Sequence, residues 1–139
     1  MIQRDNIRAQ VLVLNWRDAI RNVGALLIDA KSITSDYVDG MIQAVEEMGP
    51  YIVIMPGFAI AHAAPSEAVL KNDTALITLK EGVNFGSPND PVYLVFCLCC
   101  TDRTAHRASL QEIAKRLLAE GVMERIKNAQ SVDEIMACL

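Results

Sequence analysis

No stretch of this chain concentrates positive charge: its 13 lysines and arginines are scattered, and 17 acidic residues leave a formal net charge of −4. A nucleic-acid partner needs a basic face to replace phosphate counterions, so that class of ligand is excluded. Long apolar runs are missing too. The longest, VYLVFCLCC at residues 92–100, falls well short of the roughly 20 residues that cross a bilayer. The opening MIQRDNIRAQ holds no apolar core of a secretory signal. A cytoplasmic protein with no direct membrane insertion is therefore expected. Cysteine is confined to Cys97, Cys99, Cys100 and Cys138. No second cluster accompanies CLCC, which argues against a zinc site, and crowding in one strand argues against a disulfide framework. The loop GVNFGSPNDP (82–91) has neither G-x-G-x-x-G nor a lysine-serine ending, and no G-x-S-x-G occurs, so nucleotide-loop and serine-hydrolase chemistry find no support.

What is present is enough apolar sequence, 52% of 139 residues, to bury one full core without staples. QVLVL (10–14) reads as a short strand. Asn15 is a plausible N-cap for a helix with the stripe Trp16, Ile20, Val23, Leu27 and Ala30. Thr34 or Ser35 caps a second helix with the stripe Val38, Met41, Ile42, Val45 and Met48, ended by Gly49-Pro50. The period then changes. YIVI (51–54), FAIAHA (58–63) and TALITL (74–79) read as strands, with a turn at Pro56-Gly57 and a loop over KEGVNFGSPNDP (80–91). VYLVFCLCC is apolar on both faces, as in a central strand covered on both sides. Asp102 or Thr104 caps a helix with the stripe Leu110, Ile113, Ala114, Leu117 and Leu118, and Gly121 breaks it. VMERIKNA (122–129) and SVDEIMACL (131–139), the latter capped by Ser131, complete the chain as short helices. The pattern predicts an α/β three-layer sandwich: a mixed central β-sheet of about five strands with helices on both faces.

The two histidines, His62 and His106, carry most of the chemical information. Counting back from Leu110, Ile113 and Leu117 puts His106 on the buried face of its helix, near the N-terminal end and over the edge of the preceding strand. His62 ends its own strand-like run. Both imidazoles could therefore converge on one sheet edge beside a helix N-terminus that favours an anion. The alternative is that each is a hydrogen-bonded structural histidine. Asp102 lies at the same edge, and as a lone residue it reads better as a helix cap than as a functional carboxylate.

At GPYIVIMPGFAIAHA (49–63) the chain resembles the enzyme IIA component of the bacterial phosphoenolpyruvate-dependent sugar phosphotransferase system, in the mannitol–fructose superfamily. Gly57, Ala59 and His62 match the G-x-A-x-P-H pattern around that family's phosphorylated histidine. The match extends through WRDAIRNVGALLIDAKSITSDYVDGMI (16–42), TALITL with GVNFG (74–86), and DRTAHRASLQEIAKRL (102–117). Within the superfamily, NWRDAI (15–20) and GPYIVIMPGFAIAHAAP (49–65) look most like the ascorbate-type branch. Two departures stand out: Ala61 occupies the position of the family's proline, and MIQAVEE (41–47) lacks the arginine that mannitol-type relatives carry on the second helix.

The resemblance implies that residues 1–139 form a single enzyme IIA type-2 domain. His62 would be a phosphorylated nucleophile fed by the phosphocarrier protein HPr and drained by a cysteine of enzyme IIB. The membrane permease enzyme IIC would be reached only indirectly. His106 would stabilise the phosphoryl group, helped by backbone N–H groups around Gly57 to Ala63, and Asp102 would orient His106. Neither a cofactor nor a metal is implied, because the group passes between protein side chains. Ascorbate is the favoured sugar, with mannitol, fructose or galactitol as other candidates. A nitrogen-type regulatory protein that signals through its phosphorylation state is the alternative role.

Overall fold

The computed structural model describes residues 2–139. Five strands, β1 (Ile7–Val11), β2 (Val53–Met55), β3 (Phe58–Ala61), β4 (Asp73–Val83) and β5 (Val92–Cys99), form one sheet in the order β1-β4-β5-β3-β2. The β1–β4 and β3–β5 pairs are parallel, while β4–β5 and β2–β3 are antiparallel. The mixed sheet is thus as the sequence pattern predicts.

Helices α1 (Trp16–Asp29) and α2 (Ser35–Met48) cover one face. Helices α3 (Arg103–Leu117), α4 (Val122–Asn128) and α5 (Val132–Cys138) cover the other. Strand alternation divides the core between them. Ala59, Ala61, Ala75, Ile77, Val95, Cys97 and Cys99 face α1 and α2. Phe58, Ile60, Leu76, Leu94, Phe96 and Leu98 face α3 to α5. The cysteines on β5 are small core side chains; burial pushes the Cys99 thiol up to about 12, which keeps it an unreactive thiol. Among the described residues no group of side chains has metal-ligand geometry, and no helix is long and apolar enough to cross a membrane.

Three local expectations are corrected. The first strand lies at Ile7–Val11 rather than 10–14, because its parallel ladder with β4 begins at Ile7↔Leu76. Gln10 then adopts a left-handed φ of 55°, the register shifts so that Val11 pairs with Leu79, and the chain leaves the sheet after Val11. The alternation survives that exit: Val11 is buried and Val13 packs on the core, while Leu12 and Leu14 are 61% and 91% exposed. Strand β4 runs on through Lys80–Val83, which reads as loop in the sequence, because Val83 pairs with Val92 beyond a bulge. Finally, Leu118 and Met48 are solvent-exposed. Each sits where its helix ends, so the apolar stripe runs one residue past the surface it can cover.

Two glycines matter to the framework. Gly57, with φ 81°, makes the β2–β3 turn and accepts hydrogen bonds from the Tyr93 and Leu94 N–H groups, locking the hairpin to β5. At Gly24 a methyl group would lie 2.6 Å from Val38 Cγ2, so α1 and α2 cross in close contact only because that side chain is absent.

Candidate phosphoryl-transfer site

Parallel pairing of β3 with β5 puts the C-terminal ends of both strands at one edge of the sheet. His62 is the first residue past β3, and α3 starts four residues after the end of β5. The parity of β3 decides which way His62 points. It follows Phe58 and Ile60, the inward residues of the α3 side, and so its ring turns toward that helix. Asp102 caps α3, its carboxylate accepting a hydrogen bond from the Ala105 N–H at 2.8 Å. One turn later, His106 meets His62, with ring centroids 5.1 Å apart and planes tilted by 52°.

His62 is held from three sides. Its Nδ1 lies 2.6 Å from the carbonyl oxygen of Ile60. A carbonyl can only accept, so Nδ1 carries the hydrogen and the neutral ring keeps its lone pair on Nε2. The Tyr51 ring meets the imidazole edge-on at 5.3 Å, and the Tyr51 hydroxyl donates to the His62 carbonyl at 3.0 Å. The third hold acts through the chain just beyond. The Tyr37 hydroxyl, buried on α2, accepts from the Ala63 N–H at 3.0 Å and donates to the Leu98 carbonyl at 2.7 Å. It therefore ties the segment after β3 to the end of β5, and burial raises its pKa well above the ordinary phenol value. Tyr37→Phe strands both backbone groups. It is expected to cost about 1–3 kcal/mol, read from the thermal midpoint.

Burial lowers the pKa of His62, an effect partly offset by its bond to Ile60. Burial, and then the neighbouring His62, lower that of His106. Both rings are accordingly neutral at pH 7. The stability consequence has a definite sign. Below the ordinary value of 6.5 the unfolded chain takes up protons that the native histidines refuse. Stability is therefore full above that pH and falls as pH drops beneath it. Urea midpoints measured from pH 7.5 down to 5.5 should decline less steeply for His62→Gln than for the unmodified protein.

The Nδ1 of His106 is buried without a hydrogen-bond partner, alone in this among the side-chain nitrogens and oxygens of the described residues. Asp102 does not reach it: its carboxylate is spent on the helix cap. The reading of Asp102 as a cap is thus the one that the geometry supports, and the orienting role has no contact behind it. His106 thus packs its ring against His62 while its Nδ1 makes no hydrogen bond to any other side chain or backbone group.

These residues open onto a shallow cavity of about 400 Å³ lined by Tyr51, His62, Ala63, Ala64, Pro65, Arg103, His106, Arg107 and Leu110. Arg103 and Arg107 escape a reading of the sequence that follows apolar stripes. The available signal was their spacing of four about His106, which puts all three on one helical face. A larger cleft of about 520 Å³ lies where Asp5, Asp29, Lys71 and Asp73 meet. Of its carboxylates, Asp73 is already bonded to Ser32 and Asn6, and neither histidine lines this cleft.

Comparison with known proteins places this geometry in context. The family model described as phosphoenolpyruvate-dependent sugar phosphotransferase system, EIIA 2, matches residues 1–139. The ascorbate-specific PTS system EIIA component of Shigella boydii is 30% identical over 138 residues, spanning 98% of this chain and 90% of its own. The crystal structure of IIA mannitol from Escherichia coli superposes with a TM-score of 0.87 at 25% identity, covering 99% of this chain and 98% of that one. The solution structure of the mannitol-specific cryptic phosphotransferase enzyme IIA CmtB from Escherichia coli gives 0.89 at 26% identity, with coverages of 99% and 93%.

Proposed function

This chain belongs to the EIIA 2 family of the phosphoenolpyruvate-dependent sugar phosphotransferase system, and on that premise we propose that His62 carries the phosphoryl group, on Nε2. The observation that carries the reading is the 2.6 Å bond from Nδ1 to the Ile60 carbonyl. It holds the proton on one ring nitrogen and leaves the other as a nucleophile at the cavity.

In the proposed reaction the Nε2 lone pair attacks the phosphorus of phosphohistidine on HPr. An N–P bond forms here as the one in HPr breaks, and the HPr imidazole leaves with its electron pair. In the second step a cysteine thiolate of enzyme IIB attacks the same phosphorus, and the His62 imidazole leaves neutral. Charge at the transition state is spread over the three equatorial oxygens, so fixed donors matter more than a general base. His106 supplies one of them. Neutral in the unmodified protein, it becomes easier to protonate once a phosphate dianion stands beside it.

The small residues Ala63 and Ala64 and the shallow cavity suit a surface that meets other proteins, with the sugar bound elsewhere in the system. Ascorbate is the proposed sugar. The name of the Shigella boydii relative supports it, as do NWRDAI and GPYIVIMPGFAIAHAAP in this chain. Incubation with phosphoenolpyruvate, enzyme I and HPr should yield one acid-labile, alkali-stable phosphohistidine, mapped to Nε2 of His62 by mass spectrometry and ³¹P NMR. No label while HPr is fully phosphorylated would refute the reading. An ascorbate-type enzyme IIB should then drain the label faster than a mannitol-type one.

A further inference from the structure

Arg103 and Arg107 line the same cavity as His62, and their position is otherwise hard to account for. Both are exposed, and neither joins an ion pair among the described residues, where the pairs are Arg4–Asp133, Arg17–Glu46 and Arg116–Glu112. They stand four apart on one face of α3, an arrangement in which like charges repel. They also lie in the first turns of the helix, where the macrodipole disfavours cations, and the one carboxylate at that end, Asp102 at the N-cap, accepts from the Ala105 N–H and forms no ion pair with either arginine. The groups facing the cavity that carry or exchange protons are Tyr51, His62, His106 and these two arginines, with no carboxylate among them. Beside that face, one residue before Arg107, stands His106, whose Nδ1 is buried and unpartnered. On α2, by contrast, the Met41–Glu47 stretch offers no cation, and Glu46 is engaged by Arg17.

We infer that Arg103 and Arg107 form the guanidinium clamp that balances the phosphoryl group on His62, so that α3 supplies the charge-balancing cations as well as the second histidine. The inference rests on the assignment of His62 as the phosphoryl carrier. A planar guanidinium presents paired N–H donors that match the oxygens of a phosphoryl group. A dianion between the two arginines relieves their mutual repulsion and the unfavourable encounter with the helix dipole. The unmodified site is therefore locally unfavourable and the phosphorylated one is not, which is the difference a phosphoryl acceptor requires.

The test uses phosphoramidate, a small phosphoryl donor that needs no partner protein, on the full chain and on Arg103→Gln, Arg107→Gln, the double variant and the double Arg→Lys variant. Thermal midpoints of the Gln variants should equal or slightly exceed that of the unmodified protein, since both side chains are exposed and their removal relieves like-charge repulsion and the opposed helix dipole, and the double Lys variant should match it. In a ³¹P NMR titration, phosphohistidine 62 of the double Gln variant should ionise about one pH unit higher than in the unmodified protein. Its rate of formation should fall on the order of tenfold, and the Lys variant should recover part of both. Superimposable titration curves would overturn the inference, as would failure of phosphoramidate to modify His62 at all. A rate lost only with phospho-HPr would move the arginines to a docking role and overturn it equally. If the arginine-dependent ionisation appears but phospho-HPr does not label His62, the clamp stands and the carrier reading fails.

Discussion

On the proposed assignment of His62 as phosphoryl carrier, His62→Gln is expected to leave a folded protein that takes no measurable phosphoryl group from phospho-HPr. The side chain is half-buried at the end of β3, and its one hydrogen bond is to the carbonyl two residues back. Glutamine keeps the polarity and most of the volume, so the loss of stability at neutral pH should stay within about 1 kcal/mol. Labelling should fall by at least ~1,000-fold, because removal of a nucleophile leaves no other route to the covalent intermediate. Two measurements, a thermal midpoint and an autoradiographic or ³¹P signal, separate this from the competing view of His62 and His106 as structural core histidines. That view predicts the opposite pattern: a large drop in stability and no phosphohistidine to lose.

Phe96→Ala should show the largest change in stability. Phe96 is fully buried on β5, the middle strand of the sheet, opposite Leu76 on one side and Ile60 on the other. Its ring meets Phe58 edge-on at 5.4 Å, beneath the layer formed by α3 to α5. Truncation removes that aromatic pair and opens a cavity in a core that the flanking strands cannot collapse to fill. The expected cost is about 3–5 kcal/mol, a large fraction of the 5–15 kcal/mol typical of a domain. The melting temperature should drop on the order of 10 °C. A shift in urea midpoint with unchanged slope would show that the native state, not the unfolded ensemble, bears the loss. A loss under about 1 kcal/mol would contradict the packing described. The variant also probes the site, since Ile60 both packs beside Phe96 and holds His62 Nδ1 through its carbonyl.

Much of this architecture was legible in residue order. The apolar period of three to four in Trp16–Leu27 and Val38–Val45 reflects helices that bury one stripe against a sheet, and the structure has those stripes. Asn15, Asp102 and Ser131 each accept a backbone N–H three residues on, as capping chemistry requires. VYLVFCLCC reads as buried on both faces because β5 lies between two helical layers. Less legible were the ends of elements. Nothing in QVLVL reveals that its ladder starts at Ile7, since that depends on where β4 lies and on the bulge at Gln10.

The site divides along the same line. His62 and His106 stood out in the sequence through their scarcity, a pattern around one and the helical stripe beneath the other. Tyr37 did not: among Val38, Met41 and Ile42 it looks like one more apolar residue, and only the fold brings its hydroxyl to Ala63 and Leu98. Arg103 and Arg107 had the same obscurity, because exposed charges on a helix are usually solvated and their meaning depends on the cavity they line.

By itself, then, the sequence determined the layers, the caps and the identity of the two imidazoles, because these follow from local periodicity and side-chain chemistry. Tertiary structure alone decided that β3 and β5 run parallel, and so end together. It also decided that His62 turns toward α3, where His106 stands 5.1 Å away. It selected Nε2 as the free nitrogen, since the carbonyl that claims Nδ1 acquires its direction only when Ile60 joins the sheet. Contacts between residues far apart in the chain depend on strand order and register, which no short stretch of sequence contains.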